Sequence, residues 1–431
     1  MDEIFHRPKL ALDMASLLLR PTSLQTRIRS GLFISAPRQT GKSTFLTRDL
    51  IPTLESAGAI TLYIDLWRAA GRTTAEKLLG AVQKKLAQLE LEGPQSFTDR
   101  ARKLLMRIGL TSAEVDGAIE VPVHLVKAKA RAKVKFDFDA GRVGEKGGAS
   151  LSDALLELSR KTGRDIVFIV DEVQELKMDG YGKLIMKELK AVRDEINGQP
   201  GDHGYFIFVG NGSHRSAIHE MTAQRREPFY GAEDKRLPEL DQGYVSYVLA
   251  RAAKESPSVV LPTAPAAFMG FRVLGYRPGM LQSALEAMQR TQSAAKSPDA
   301  VFDGIVNTLH EQDGLVELEK LRLLGELPQA VFARICRGPE SGVTGLYAGD
   351  ALTAYATALG WEEVTTREVQ LALDSLKASN LVMRDGDGGP VLVTNDSLRE
   401  IWLRHHQHGE SDIDRSAKLG AEHEPPRARG R

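Results

Sequence analysis

The stretch Gly31–Leu46, "GLFISAPRQTGKSTFL", decides the fold. "GLFIS" reads as a short buried strand, and "KSTFLTRDLIPTL" as a helix with Phe45, Leu46 and Leu50 on one side. The loop between them follows the phosphate-cradling pattern G-x-x-x-x-G-K-[ST], with Gly41, Lys42 and Ser43 at its end and Ala36 where the first glycine usually stands. A strand, a tight loop with inward N–H groups and a helix N-terminus together attract phosphate. In that reading Ala36, Pro37, Arg38, Gln39, Thr40 and Gly41 line the loop, and Gly41 lets the backbone approach. Lys42 neutralises the β- and γ-phosphates, Ser43 offers a hydroxyl to Mg²⁺, and Thr44 meets the α-phosphate. The methyl group of Ala36 matters only if that position needs a positive φ, at about 1 kcal/mol. The plain alternative is a chance GKS in a turn.

The chain further on favours the first reading. "VFIVDE", Val167–Glu172, is four apolar residues ending in two carboxylates. A buried strand delivers Asp171 to its C-terminal end, where ligands bind in open α/β sheets. Asp171 is expected to hold Mg²⁺ through water, and Glu172 to orient and deprotonate an attacking water. "GYFIFVGNGSH" is another strand whose polar end can touch a terminal phosphate; Asn211 is the first candidate and Ser213 the second. "LGYRPGML" places Arg277 at a helix start, either reaching the phosphates from a helical lid or exposed to solvent.

Short apolar strands alternating with helices imply an α/β fold: a P-loop parallel sheet flanked by helices. The expected order is a helical segment at 1–30, the P-loop core at 31–240, a helical lid at 241–300 and a connector at 301–317. "TAEKLLGAVQKKLAQLEL" within the core reads as an amphipathic helix. Residues 318–405 read as three helices and a hairpin, a winged helix, with Thr365 and Glu368 spaced as a capping box. Residues 406–431 are poor in large apolar residues and expected to be disordered.

These motifs resemble those of the AAA+-related prokaryotic ATPases known as the archaeal ATPase family, cousins of the STAND signalling NTPases. The resemblance runs from about Phe5 to Arg404 and rests on "APRQTGKSTFL", "VFIVDEVQEL", "FIFVGNGSHRSAI", "EPFYGAEDKRLPEL", "LGYRPGML" and "VTNDSLREIWLR". It implies ATP and Mg²⁺ as cofactors, a catalytic Glu172, a sensor around Asn211 and a lid behind Arg277. Two positions depart from the family: Ala36, and Ala232, which follows Gly231 where the family usually has arginine. Arg225, Arg226, Lys235 and Arg236 are the nearby cations.

Composition bounds the partners. Among 431 residues, 57 Lys and Arg balance 57 Asp and Glu, which argues against coating nucleic acid by bulk charge. "VKAKARAKVKFDFD", Val126–Asp139, lies in an insertion at about 121–150 and alternates Lys127, Lys129, Arg131, Lys133 and Lys135 with small apolar residues. It reads first as an edge strand blunted by lysines, and second as a DNA or acidic-protein contact. The third helix of the winged helix sets Arg367 and Lys377 against Glu368 and Asp374, so a protein partner stands level with DNA. "HHQH", His405–His408, is too local for a structural zinc site. Cys336 is alone, so no internal disulfide forms, and neither a signal-peptide core nor a membrane-length apolar run is evident. The expectation is a cytoplasmic, ATP-hydrolysing switch, DNA-associated or protein-partnered, with ATP-dependent oligomerisation. An ATP-binding scaffold that hardly hydrolyses is the remaining alternative.

Overall fold

The computed structural model describes residues 4–67, 155, 158–160, 162–178, 182–199, 204–291, 297–384, 388–394 and 396–407. The basic stretch Val126–Asp139, the amphipathic helix at 74–91 and the tail beyond Gln407 lie outside the described residues.

Five parallel strands form the sheet: β1 (Leu32–Ser35), β2 (Ile60–Asp65), β3 (Ile166–Asp171), β4 (Phe206–Gly212) and β5 (Glu233–Arg236), in the order β2-β3-β4-β1-β5. Every residue of β1, β3 and β4 is buried, as both faces are covered. Alternation with period two divides their side chains. Phe33, Phe168 and Phe208 enter one core with Phe229, whose ring stacks on Phe208 at 4.2 Å. Leu32, Ile34, Val167, Ile169 and Val209 enter the other, against Leu18 of α1 (Pro8–Leu19) and Phe45, Leu46 and Leu50. Each such side chain contributes about 1.5–3 kcal/mol on burial. Gly210 is dictated by this packing, because a Cβ there would lie 2.8 Å from the Phe33 ring.

The helix after β1 is not uniform. α2 (Lys42–Phe45) passes through a π-helical turn, Leu46–Leu50, into α3 (Ile51–Ser56). Pro52 falls in the first turn of α3, where a missing N–H is tolerated. Within the π turn Asp49 is buried and faces the N-terminal strap. It lies 2.7 Å from His6 Nδ1 and accepts the Arg7 backbone N–H at 3.1 Å.

On the other side of the chain, α4 (Glu175–Met178) and α5 (Gly182–Gly198) follow β3, and α6 (Arg215–Ala223) follows β4. The lid comprises α7 (Gln242–Glu255), α8 (Ala264–Val273), α9 (Pro278–Arg290) and the start of α10 (Pro298–Leu323). Its core holds Val245, Phe271, Leu281, Leu285, Phe302 and Val306. α10 spans the expected divisions after 300 and 317. One unbroken helix crosses both, because Phe302 and Val306 face the lid core while Leu321 enters the next core.

That next core belongs to α11 (Glu326–Arg337), α12 (Gly349–Leu359), α13 (Thr366–Ala378) and the antiparallel hairpin β6 (Val382–Arg384) and β7 (Val391–Val393), three helices and a hairpin around one core. The Thr365–Glu368 capping box is present. Cys336 is fully buried there, and burial pushes its thiol up to about 12, which leaves it inert. α14 (Asp396–Gln407) closes the described chain and packs back on α10. It extends the order past the expected tail boundary to Gln407, where His406 stacks on Trp402. No helix among the described residues is long and apolar enough to cross a membrane.

Candidate nucleotide site

The loop from Ala36 to Gly41 carries its unusual backbone at Gln39 (φ 62°) and Gly41 (φ 86°), and Ala36 is not among the residues with positive φ. The alanine therefore costs no backbone strain. A Cβ on Gly41 would meet nothing within 4 Å, so the loop is open at the N-terminus of α2. Thr40 donates its hydroxyl to the Pro37 carbonyl at 2.8 Å, and Lys42 Nζ donates to the same oxygen at 3.0 Å. Lys42 is buried, and burial holds its ammonium below the usual lysine value despite the opposing pull of Glu172 and Asp171.

Asp171 joins the two halves of the site. Its Oδ2 accepts Ser43 Oγ at 2.6 Å and Tyr63 Oη at 2.8 Å. Its Oδ1 accepts the Glu172 N–H at 3.0 Å and the Asn211 amide. Strand register explains the convergence, as Asp65, Asp171 and Asn211 form one row across β2, β3 and β4. The Ser43 hydroxyl and Asp171 carboxylate are paired hard oxygens at the loop. They suit Mg²⁺, which keeps waters and phosphate in its shell rather than an all-protein cage. Among the described residues no cluster of three or more His, Cys, Asp or Glu could hold a metal by itself.

Glu172 has φ 56°, a left-handed conformation that costs about 1 kcal/mol in a residue with a Cβ. Its Oε2 accepts the Gln174 amide and, at 3.1 Å, the Ser213 hydroxyl. Ser213 Oγ also accepts Arg38 Nε at 3.4 Å. The Arg38 guanidinium stacks over Trp67 at 4.8 Å and lies 3.3 Å from His214 Nε2. Burial, followed by Arg38, lowers the His214 imidazole from its ordinary value. Among the described residues two buried carbonyl oxygens here, Asn211 Oδ1 and Gln174 Oε1, have no hydrogen-bond partner, each at a cost of about 1–3 kcal/mol.

The candidates Asn211 and Arg277 are both paired with protein carboxylates. The Asn211 amide donates to Asp171, so this residue orients the carboxylate, and Ser213 is the one that reaches Glu172. Arg277 gives both terminal nitrogens to Asp313 of α10 rather than to the loop, because α9 begins against that helix. At Ala232 the side chain is fully buried beside Phe229, where a guanidinium would lose its water. Arg27 instead donates to the Gly231 and Ala232 carbonyls from outside.

Beside the loop opens a cavity of about 530 Å³, bounded by Thr40, Gly41 and Thr44, by Phe5 and Arg7, and by Tyr244, Tyr247 and Arg251 of the lid. The Phe5 ring lies 5.4 Å from Tyr244 and 5.6 Å from Tyr247. Burial pushes the Tyr244 hydroxyl up to about 12, so it remains a donor at neutral pH. Phe5, Arg7, Tyr244, Tyr247 and Arg251 were invisible as site members in the sequence, and Gln174 was visible only as the end of the run from Asp171 that carries the resemblance. The first five are scattered positions without a motif, and only folding brings residue 5 to residue 244.

No protein-family model matches the chain, and no curated protein matches it. Among solved structures, the Aeropyrum pernix ORC2 protein in its ADP form is 13% identical with a TM-score of 0.46, over 93% of this chain and 95% of that one. The Aeropyrum pernix ORC1 protein in complex with DNA is 14% identical with a TM-score of 0.37, over 93% of each chain. The Thermotoga maritima RuvB Holliday junction branch migration motor is 14% identical with a TM-score of 0.36, over 94% of this chain and 95% of that one. The functional reading rests on the site itself.

Proposed function

We propose that this protein is a Mg²⁺-dependent ATPase that works as a nucleotide-driven switch. The observation that carries the reading is the direct Ser43–Asp171 hydrogen bond beside the buried ammonium of Lys42, at an open, left-handed Gly41. Loop N–H groups and Lys42 hold the phosphates, and Ser43 and Asp171 hold the cation, which when bound neutralises charge developing on the phosphates. The aromatic cavity beside Thr40 and Thr44 takes the base. Glu172 accepts the proton of a water whose oxygen bonds to the γ-phosphorus as the bond to the β,γ-bridging oxygen breaks, giving ADP and phosphate.

The lid and the winged helix share α10, so closure of the lid on nucleotide is the motion transmitted to the winged helix. The partner reading favoured is a protein. On α13 the exposed face carries Arg367, Gln370, Leu371 and Asp374; Leu371 is 61% exposed, and Lys377 is paired with Asp374. Such a face gains little from neutralising a phosphate backbone. The site chemistry fits the archaeal ATPase family that the sequence resembles, and the exposed Arg225 and Arg226 are the cations available for contact in an ATP-dependent oligomer.

Phosphate release by the wild type and by Glu172→Gln tests the reading. The variant should retain nucleotide binding and lose about 100-fold or more in turnover; undiminished turnover overturns the assignment. Adding duplex DNA should leave turnover unchanged, whereas salt-sensitive stimulation by DNA restores the DNA-associated alternative. Tight nucleotide retention with no turnover favours the scaffold.

A further inference from the structure

Glu172 is held by one oxygen only. Its Oε2 receives the Gln174 amide and the Ser213 hydroxyl, and Oε1 receives no protein donor among the described residues. Gln174 is 1% exposed, and its own carbonyl oxygen has no partner among the described residues. The amide fits only because residue 212 is glycine: a Cβ there would lie 2.1 Å from Gln174 Oε1. The turn that carries both side chains is pinned by Val173 N–H on the Asn211 carbonyl at 2.8 Å and by Glu175 N–H on the Glu172 carbonyl at 3.0 Å. If Gln174 served packing alone, an apolar side chain of equal length would serve better, since it leaves no buried carbonyl unpaired. What the amide adds is its hydrogen bond to Glu172.

We propose that Gln174 is a positioning residue for hydrolysis. Seated in the socket left by Gly212 and aided by Ser213, it fixes Glu172 Oε2 so that Oε1 is the oxygen presented to the attacking water. The inference rests on Glu172 acting as the base, as argued under the proposed function. Gln174 touches neither water nor nucleotide; it acts through the orientation of the carboxylate, where a displacement of about 1 Å is worth about 100-fold in rate.

The test uses the full chain with Gln174→Met, which keeps the length and removes the donor. The expected result is a kcat about 100-fold lower, with KM for ATP and affinity for ADP unchanged and a melting midpoint no lower than that of the wild type. In a Glu172→Gln background the same substitution should produce no further loss. Gly212→Ala should reproduce the kcat defect by displacing the amide. Ser213→Ala, which changes volume little, gives the same readout should Gln174→Met fold poorly, with a smaller loss of kcat at unchanged KM. Wild-type kcat in Gln174→Met overturns this inference alone. A lower melting midpoint accompanied by altered KM overturns it in favour of a packing role. A wild type that binds nucleotide without turnover overturns the hydrolysis reading and this inference with it.

Discussion

The guanidinium of Arg277 is clasped by the carboxylate of Asp313, with Nη1–Oδ1 at 2.9 Å and Nη2–Oδ2 at 2.7 Å. This joins the start of α9 in the lid to the middle of α10. Nearby on the same helix, Glu311 meets Arg404 and His405 of α14, and Gly314 lies under Ile401, where a Cβ would come within 2.1 Å of Ile401 Cδ1. One helix thus joins the helical core around Phe271 on one side to the C-terminal core around Phe332 on the other. A bidentate, partly buried pair exceeds the 0–1 kcal/mol of an exposed one. Arg277→Ala and Asp313→Ala should each destabilise the fold, and a double-mutant cycle by urea denaturation should give a coupling of about 1–2 kcal/mol. A coupling near zero means that the pair does not join the two elements.

Lys42 makes the nucleotide-free protein sensitive to alkaline pH. Its ammonium titrates below the ordinary lysine value of 10.5 in the folded state, because of burial. Between that lowered value and 10.5 the unfolded chain binds more protons at this site than the folded one, so stability from this group rises with pH. The wild type should therefore gain stability over this window relative to Lys42→Met, in denaturation at stepped pH without nucleotide. Saturating Mg²⁺-ADP should reduce the difference, because an anion then favours the charged lysine. Parallel pH profiles for the two proteins refute it.

On the proposed function, the aromatic cavity recognises the base separately from the phosphates. Tyr247→Ala should weaken ADP binding by about 1–3 kcal/mol, the range for stacking a base on an aromatic ring. Binding of pyrophosphate, which engages the loop alone, should be unchanged. Calorimetry with both ligands checks this, and an equal loss for both removes the base from the cavity.

Asp49 fastens the N-terminal strap to the helix behind the loop. Its Oδ2 accepts the Arg7 N–H, and its buried carboxylate meets His6. Asp49→Ala should cost about 0.5–1.5 kcal/mol in thermal or urea unfolding, since the half-buried Arg7 N–H loses its acceptor. It should also weaken ADP binding, because Phe5 and Arg7 line the cavity. Wild-type values in both measurements dissociate the strap from the site.

Much of the fold was legible in the sequence because its signals are local. Apolar runs such as "VFIVDE" marked strands buried on both faces, and Thr365 with Glu368 announced a helix start that the structure contains. Ala36 was legible as an oddity, but its backbone conformation was not, since φ depends on where the loop must turn. The structure places the left-handed residues at Gln39 and Gly41. The π turn behind the loop also escaped notice, although Pro52 stood just after it in the sequence.

What the sequence determined by itself was the set of chemical groups: a glycine, a lysine and a serine at a helix start, and two carboxylates at a strand end. Short-range spacing suffices for these, because strand and helix periods are properties of the backbone. Only the tertiary structure decided their partners. It gave Ser43 to Asp171, set Gln174 and Ser213 on one oxygen of Glu172, and turned Arg277 away to Asp313. These contacts join side chains many residues apart, and their existence depends on strand order, register and the helix packing that brings the lid beside α10.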